Sequence, residues 1–442
     1  MRRFSFGNRL KWIGIAFLIV FPFLFLGSIH LWVISVRMTI AYGLLLYFLC
    51  EHMLSVVVKR GSSGYSPTKG MKKYYVYLAV YIFVSLLNYS FFSSSYISSF
   101  IKDLTAVHIV CCIALFVFPK IFKTEASIQG AFIVIAFGFF LNALTTILQA
   151  QNIPLGWALG MSINPTDIEE LEELQSYNVD ANELEKSIYM GIMGRSVGNG
   201  YFIATMLPVM TYHIWDKFRL NSLWTFVVMA ITFICIYFIQ QRMALIVVAI
   251  YIICVILLKK SSLLLKISII SIILFSVHYF QDSIMNYDYS QVGRITDFSD
   301  DTRSSTIAVL NDFISEPSNL LIGSNQITNE EERDTFLVIG HNTFTDTIRM
   351  GGIVLLIPFL ILFYCLCKTL IKIFLFSRKV KDYRTMGMAM GCLCFLLYSQ
   401  THSTGVQSGS IMFWVLYMLC IQSHRVKCKQ TSNGLEVIRW LQ

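Results

Sequence analysis

The chain has 442 residues, 56% hydrophobic and only 14% charged, with a mean hydropathy of +0.63. A water-soluble globule cannot hide that much apolar surface, so the composition excludes an ordinary soluble enzyme and reads as an all-α, polytopic integral membrane protein. The formal net charge of +9 would suit nucleic acid only if it were gathered on one soluble face, and its distribution along the chain gives it another meaning.

The N-terminus, Met1-Arg2-Arg3-Phe4-Ser5-Phe6-Gly7-Asn8-Arg9-Leu10-Lys11, precedes an apolar run from Trp12. No small-x-small cleavage site follows, so this segment reads as a first, uncleaved span rather than a signal peptide. Apolar runs long enough to cross a bilayer cover roughly 12–28, 31–50, 74–93, 104–118, 127–150, 199–215, 222–240, 243–258, 262–280, 351–373, 385–402 and 408–422,. Twelve spans are therefore expected. Arg37 interrupts the second run and would cost about 2.5–3.5 kcal/mol at mid-bilayer, but it is tolerable near an interface, where it can snorkel.

Short basic loops choose the side. The N-terminus and residues 51–73, with Lys59, Arg60, Lys69, Lys72 and Lys73, belong to the cytoplasm,. Alternation of twelve spans then puts Lys120 with Lys123, Lys217 with Arg219, Lys259 with Lys260, the Arg378–Arg384 cluster and the Arg425–Arg439 tail on the same side. The two long non-apolar segments, 151–197 and 281–350, face outward. The first carries eight acids against Lys186 and Arg195, net −6, and the second twelve acids against four arginines, net −8. The positive charge is thus a property of the cytoplasmic face and implies no nucleic acid. The expected organisation is a single membrane domain over 1–442 with two outward-facing loops, both termini cytoplasmic. The acidic run Glu169–Glu185 reads as a solvated loop helix.

Ten of the eleven cysteines lie in apolar runs and Cys428 lies in a basic tail. The Cys365/Cys367 and Cys392/Cys394 pairs would point about 200° apart on a helix, the wrong geometry for a shared metal, so they read as packing residues. Few ionisable groups interrupt the runs, with Glu51 and Lys266 near cytoplasmic ends. An ion-coupled carrier needs charge near the midplane, so chemistry is better sought in the outer segments.

Three residues there stand out. Arg242, in Gln240-Gln241-Arg242-Met243, occupies a short turn between two runs and is either an interface anchor or a fixed guanidinium fork for phosphate oxygens,. Arg303, in Ser299-Asp300-Asp301-Thr302-Arg303, precedes Ile307, Leu310, Phe313 and Ile314, which share a helical face, and a stop at Glu316-Pro317,. An amphipathic helix over 301–315 is expected, with Asp301 or Thr302 as cap and Arg303 in its first turn, where free N–H groups favour an anion. The competing reading is a surface ion pair with Asp300 or Asp301. His341 opens His341-Asn342-Thr343-Phe344-Thr345-Asp346, in which Thr343 and Asp346 match a capping box,. An imidazole there can exchange a proton near neutral pH or can simply be an inert surface histidine.

In order, a Gln-Arg turn, an outer segment with Arg303 before an amphipathic helix and Glu316-Pro317-Ser318-Asn319-Leu320-Leu321-Ile322-Gly323, and His341-Asn342 opening a glycine-containing span make up a loose pattern. With Gly194-Arg195-Ser196-Val197-Gly198-Asn199-Gly200 ahead of another span, the chain resembles the O-antigen ligase and O-antigen polymerase family of bacterial envelope proteins, chiefly over residues 190–375. The resemblance implies an architecture like that of the C-type glycosyltransferases, with no metal or cofactor. It implies that Arg242 and Arg303 hold the pyrophosphate of an undecaprenyl-linked glycan, that His341 assists the accepting hydroxyl, and that Arg195 and Asn342 help bind substrate. Arg294 competes for the second arginine role but lacks a following amphipathic helix. The chain departs from the family in having Gln241-Arg242-Met243 where Ser-Arg-Gly is frequent, and adjacent Gly351-Gly352 where two glycines are usually three apart. Implied partners are membrane lipids, the lipid-linked glycan, an acceptor glycan or lipid core, and a chain-length regulator. Polymerisation of repeat units is the favoured reading, transfer to a lipid core the second, and a polysaccharide flippase the third.

Overall fold

The computed structural model describes residues 6–27, 29–31, 34–57, 69–91, 100–101, 104–163, 189–193, 196–215, 221–239, 241–258, 306–324, 342–401, 405–407 and 409–430. Nearly all of this is helix: α1 (Phe6–Phe25), α2 (Val36–Val57), α3 (Lys69–Phe91), α4 (Ile109–Ile121, entered through a π-helical turn Leu104–His108), α5 (Glu125–Ala150), α6 (Pro154–Ile163), α7 (Ser196–Trp215), α8 (Asn221–Ile239), α9 (Arg242–Leu258), α10 (Thr306–Ser315), α11 (Pro317–Ile322), α12 (Thr343–Lys379), α13 (Tyr383–Tyr398) and α14 (Ile411–Gln430). A two-stranded hairpin, His30–Leu31 against Ile34–Ser35, joins α1 to α2. Helices occupy eleven of the expected apolar runs, and the run 262–280 lies outside the described residues. Among the described residues, three helical stretches are both long and apolar enough to cross a membrane: Leu104–Ile121, Glu125–Ala150 and Thr343–Lys379. The eleven cysteines are all free thiols.

Local sequence accounts for several boundaries. Before α5, the Thr124 hydroxyl accepts from Ser127 N (3.2 Å) while Thr124 N donates to Ser127 Oγ (3.0 Å), a reciprocal cap followed by Glu125 at the positive end of the helix dipole,. The same helix ends with Asn152 at φ 54°, so that Asn152 N reaches Gln149 O and Ile153 N reaches Leu148 O, both at 2.9 Å. These are the two bonds of a left-handed helix terminus, and Pro154 at once starts α6 where its missing N–H costs nothing. Lys381, at φ 57°, ends α12 in the same manner, with Asp382 N bonded to Ser377 O at 2.8 Å. Asp382 then caps α13 through Thr385 N, and burial holds its carboxyl above the usual range against the pull of the Thr385 bonds,.

Arg37 lies in the first turn of α2, its Nη2 donates to Leu24 O at 3.5 Å, and its guanidinium is stacked against Gly27, where a β-carbon would strike it. The side chain thus serves the carbonyls at the C-terminal end of α1, where a cation is favoured by the dipole.

The described chain forms two compact units. In one, covering 1–140, 209–221 and 302–442, α3 packs along α12, α12 on α13, and α14 between α13 and α4. Its interior is aromatic: Tyr74 and Trp414 ring centroids stand 4.4 Å apart, and Tyr77 meets Phe359 edge-on at 5.9 Å. Gly130 brings the backbones of α1 and α5 together, since a β-carbon there would lie 2.6 Å from Trp12 O,. The second unit, 141–208 and 222–301, holds the end of α5, α6, most of α7, and α8 with α9.

The expected span beginning at Gly351 is corrected by the structure. Helix α12 starts eight residues earlier and breaks at Gly351-Gly352, with Gly352 at φ 58°, ψ −157°. A β-carbon at Gly352 would collide with the carbonyl of Leu321 and lie 2.6 Å from Ile322 N, so α11 rests its backbone on the break. Gly323, at φ 67°, answers from the other side: a β-carbon there would lie 2.6 Å from Gly351 N. Ser324 N donates to Arg349 O at 2.9 Å, supplying the bond that the interrupted helix cannot,. Gly352→Ala should therefore lower stability by about 2–5 kcal/mol, from the left-handed strain plus the overlap with α11. Thermal unfolding of the detergent-solubilised protein checks this, and an unchanged midpoint would contradict the docking.

Candidate functional site

Of the residues singled out from sequence, Arg195, Arg294, Arg303 and His341 lie outside the described residues, as does the acidic run 169–185. Arg242 is described in its backbone. Helices α8 and α9 end and begin at Ile239 and Arg242, so the expected short turn is there, but Arg242 itself is the first residue of α9, with Gln241 O accepting from Leu245 N at 3.3 Å. The amphipathic helix is described from Thr306 to Ser315. Leu310, Phe313 and Ile314 are half-buried while Asn311, Asp312 and Ser315 are exposed. The stop is also as expected, because Pro317 opens α11 and Glu316 holds Ser318 Oγ (2.7 Å) and Asn319 Nδ2 (3.2 Å),. The placement of Arg303 in a first turn lies outside the described residues.

The capping box at Thr343 is a correction by one residue. Asn342 is the cap, its Oδ1 accepting from Phe344 N at 2.8 Å, while its backbone carbonyl accepts from Asp346 N (2.8 Å) and Thr345 Oγ1 (3.0 Å). Thr343 and Asp346 are freed for other partners because both are buried. The Thr343 hydroxyl donates to Ser399 O. Asp346 holds an ion pair with Arg349, its Oδ1 accepting from Nη2 at 2.7 Å and Nε at 3.1 Å, and its Oδ2 accepts from Gln407 Nε2 at 3.2 Å.

Gln407 belongs to a segment that hydropathy alone treats as a surface loop. Gly405, Val406, Gln407 and Gly409 are all buried, and the Gln407 carbonyl accepts from Tyr77 Oη at 3.1 Å. Gly409, at φ 72°, offers its carbonyl to Cys111 Sγ (2.9 Å) and lets the chain pass over His108, whose Nδ1 pairs with Tyr74 Oη at 3.2 Å. Sequence reasoning missed this strap and the Asp346–Arg349–Gln407 cluster. The available signals were two ionisable residues spaced i, i+3 just before a glycine pair, and a Gly-Val-Gln-Ser-Gly stretch too short to loop freely between two apolar runs.

The second unit has a polar centre of its own. Asn142 Nδ2 donates to Asn199 Oδ1 (2.7 Å), Asn199 Nδ2 donates to Thr146 Oγ1 and Tyr189 O (both 2.9 Å), and Asn142 Oδ1 accepts from Ile192 N (2.9 Å). Gln149 closes the set by accepting from Gly191 N at 2.9 Å, with Gly191 at φ 55°. Both amides of the asparagine pair are used on both ends, so the segment 189–193, immediately before Gly194-Arg195, is fixed to α5 and α7. Asn199 appeared in sequence only as one letter of a glycine-rich stretch. No family model and no curated protein matches the chain.

Asn199→Leu should cost about 2–4 kcal/mol, because it strands the Asn142 amide and the Tyr189 carbonyl in an apolar interior. Limited proteolysis across 164–195 should speed up accordingly, and a cleavage rate equal to that of the parent protein would show that the network does not hold this segment.

Proposed function

We propose that the chain is a twelve-span bacterial inner-membrane glycosyltransferase that polymerises repeat units of a surface polysaccharide from an undecaprenyl-pyrophosphate-linked donor. In this reading both termini are cytoplasmic, 151–197 and 281–350 face outward, and membrane lipids, an acceptor glycan and a chain-length regulator are its partners. The positive-inside distribution of charge supports the orientation,.

The observation that carries the reading is the docking of α11 on the Gly351-Gly352 break. Through it the chain leaving Arg303 and the chain leaving His341 enter one packed body within about twenty residues of each, although the two residues are far apart in sequence. Fixed helices are what an electrostatic site needs, because donors that are already oriented cost no reorganisation when charge develops.

In the reaction, an acceptor sugar hydroxyl forms a bond to the anomeric carbon of the donor glycan as the bond from that carbon to the pyrophosphate oxygen breaks. The hydroxyl proton passes to His341 Nε2 or Nδ1 and from there to solvent, and undecaprenyl pyrophosphate departs with the electron pair. Direct displacement inverts the anomeric centre. Arg242 and Arg303 lower the barrier by pairing with the charge that grows on the leaving phosphate, with Arg195, Asn342 and Arg294 as further substrate contacts. No divalent ion is needed when guanidinium groups do that work.

Changing Arg242, Arg303 or His341 singly to Ala should leave the protein inserted and reduce long-chain glycan roughly 100-fold or more, the loss expected for one preorganised donor. Glycan ladders on denaturing gels measure it, and normal ladders from all three variants would end the proposal. Incubating purified protein with a lipid-linked repeat, with and without lipid core, separates a ladder of products from a single transfer, and a single transfer only to the core would make it a ligase. Chelation supplies an independent check: EDTA should leave the purified activity within about twofold, and a loss restored by a divalent ion would overturn the arginine-only account.

A further inference from the structure

Helix α12 changes character along its exposed side. Ile353, Val354, Ile357, Leu360 and Ile361 are exposed and aliphatic, as a face turned to hydrocarbon requires,. Tyr364, which is 61% exposed, then Lys368 and Lys372 continue the same stripe at helical spacing,. Tyrosine and lysine together mark the level at which a helix leaves the hydrocarbon for the headgroups. Lys368 Nζ donates to Tyr364 Oη at 3.2 Å and stands 5.2 Å from the centre of its ring. One of its three N–H bonds is used there, and the other two are left for whatever surrounds the helix.

Helix α3 reaches the same height with the same sign of charge. A β-carbon on Gly70, in its first turn, would lie 3.1 Å from Leu366 Cδ2, so the start of α3 stands level with the Tyr364–Lys368 turn of α12. Lys72 and Lys73, within the first five residues of α3, are exposed. Neither helix supplies a counter-charge at this level, because the chain has no acid between Glu51 and Asp103 and none between Asp346 and Asp382. Asp382 is buried and accepts from the Thr385 hydroxyl at 2.6 Å, and Glu125 faces Arg384. Lysines at the start of a helix also oppose its dipole, which raises the value of an outside anion.

Lys368 and Lys372 are one turn apart, about 6 Å along the axis, and the headgroup layer on each side of a bilayer is about 5–8 Å deep. The cations of the two packed helices thus fit within a single layer. We infer that Lys368 and Lys372 of α12, with Lys72 and Lys73 of α3, bind the phosphate of an anionic phospholipid in the cytoplasmic leaflet. The occupant is a lipid and not a soluble anion, because Tyr364 and the exposed Ile361 and Ile371 beside these cations offer its glycerol and acyl parts an apolar bed. The site is independent of glycan transfer, and its leaflet rests on the orientation proposed above.

The test titrates the full-length protein in detergent with phosphatidylglycerol and, separately, with phosphatidylcholine, and counts bound lipid by native mass spectrometry. Phosphatidylglycerol should bind at severalfold lower concentration. Lys368→Gln with Lys372→Gln should weaken it roughly tenfold or more, at about fivefold for each cation near an anionic surface, and leave phosphatidylcholine unchanged. Equal affinity for the two lipids, or parental phosphatidylglycerol binding by the glutamine variant, overturns the inference. Displacement of the lipid by inorganic phosphate at constant ionic strength would make this a soluble-anion site and overturns it as well. Should the glutamine variant fail to accumulate, the parent protein decides: phosphatidylglycerol binding must fall severalfold as salt rises from about 0.1 M to about 1 M, and constant binding refutes a charge-based site. A reporter fused to the C-terminus tests the leaflet separately, and activity on the outer side of the membrane would overturn the cytoplasmic assignment. Because lipid binding is read without catalysis, a failure of the glycan-transfer reading does not register in it.

Discussion

A helix interrupted inside an apolar body has two backbone groups with nowhere to go, and the contact between Gly323 and the Gly351-Gly352 break is how this chain meets that constraint. In hydrocarbon no water is available to take an orphaned carbonyl, so irregular backbone survives only where protein supplies the partner. Here Ser324 N supplies it to Arg349 O at 2.9 Å. Three glycines make the approach possible, because the backbones of α11 and α12 come closer than any β-carbon at Gly323 or Gly352 would allow. What the fold offers at this end of the unit follows from that seating. It fixes where the short helix Thr343–Met350 lies, and with it the Asn342 cap, the Asp346–Arg349 pair and the point at which the chain leaves toward His341.

Polar side chains in the interior obey the same accounting. Asn88 donates from α3 to Ile322 O at 3.2 Å and so ties α11 down from a third direction. The Gln407 side chain donates to Asp346 while its backbone carbonyl accepts from Tyr77, and in the second unit Asn142 and Asn199 each use both the nitrogen and the oxygen of their amides. Buried amides left half-paired would be costlier than leucines, whereas fully paired ones select a single arrangement of the helices around them. The repeated use of amides rather than charges is the economical choice in a low-dielectric body. An amide carries no Born cost, whereas the ions this unit does enclose among the described residues are paired or capped, as where Asp346 faces Arg349 and Arg384 faces Glu125, each at 2.7 Å, and where Asp382 accepts from Thr385,.

Much of the fold was legible in the sequence for a simple reason: apolar runs interrupted by charge and proline are local signals. The runs around 127–150 and 222–258 became helices within a few residues of the expected limits, and Glu316-Pro317 stopped α10 where proline geometry requires,. What escaped was decided by distant partners. Thr343 and Asp346 satisfy the spacing of a capping box, but Ser399 and Gln407 claim their side chains, so the cap moves to Asn342. That Arg37 would reach back to Leu24 O at the end of α1 has no mark in the sequence, because the two lie thirteen residues apart. Gly351-Gly352 reads as two small residues in a span until α11 is laid across them. Of the candidate site, the sequence delivered the order of its residues, while the structure describes the side chain of Asn342 and the backbone of Arg242 and leaves Arg195, Arg294, Arg303 and His341 outside the described residues.

The same physics bears on why the chemistry would be distributed along the chain as it is. A pyrophosphate at a membrane surface is strongly hydrated, and a site that competes with water must present several donors at once, already oriented. Loops alone do this badly, since each donor then carries the entropy of its own segment. Arg242 opens a helix after a two-residue turn, the chain after Arg303 becomes α10 within a few residues, and the chain after His341 is capped immediately by Asn342. Arg242 thus stands at a helix terminus, and Arg303 and His341 precede one by three and two residues in sequence, so that a helix begins close to each expected contact.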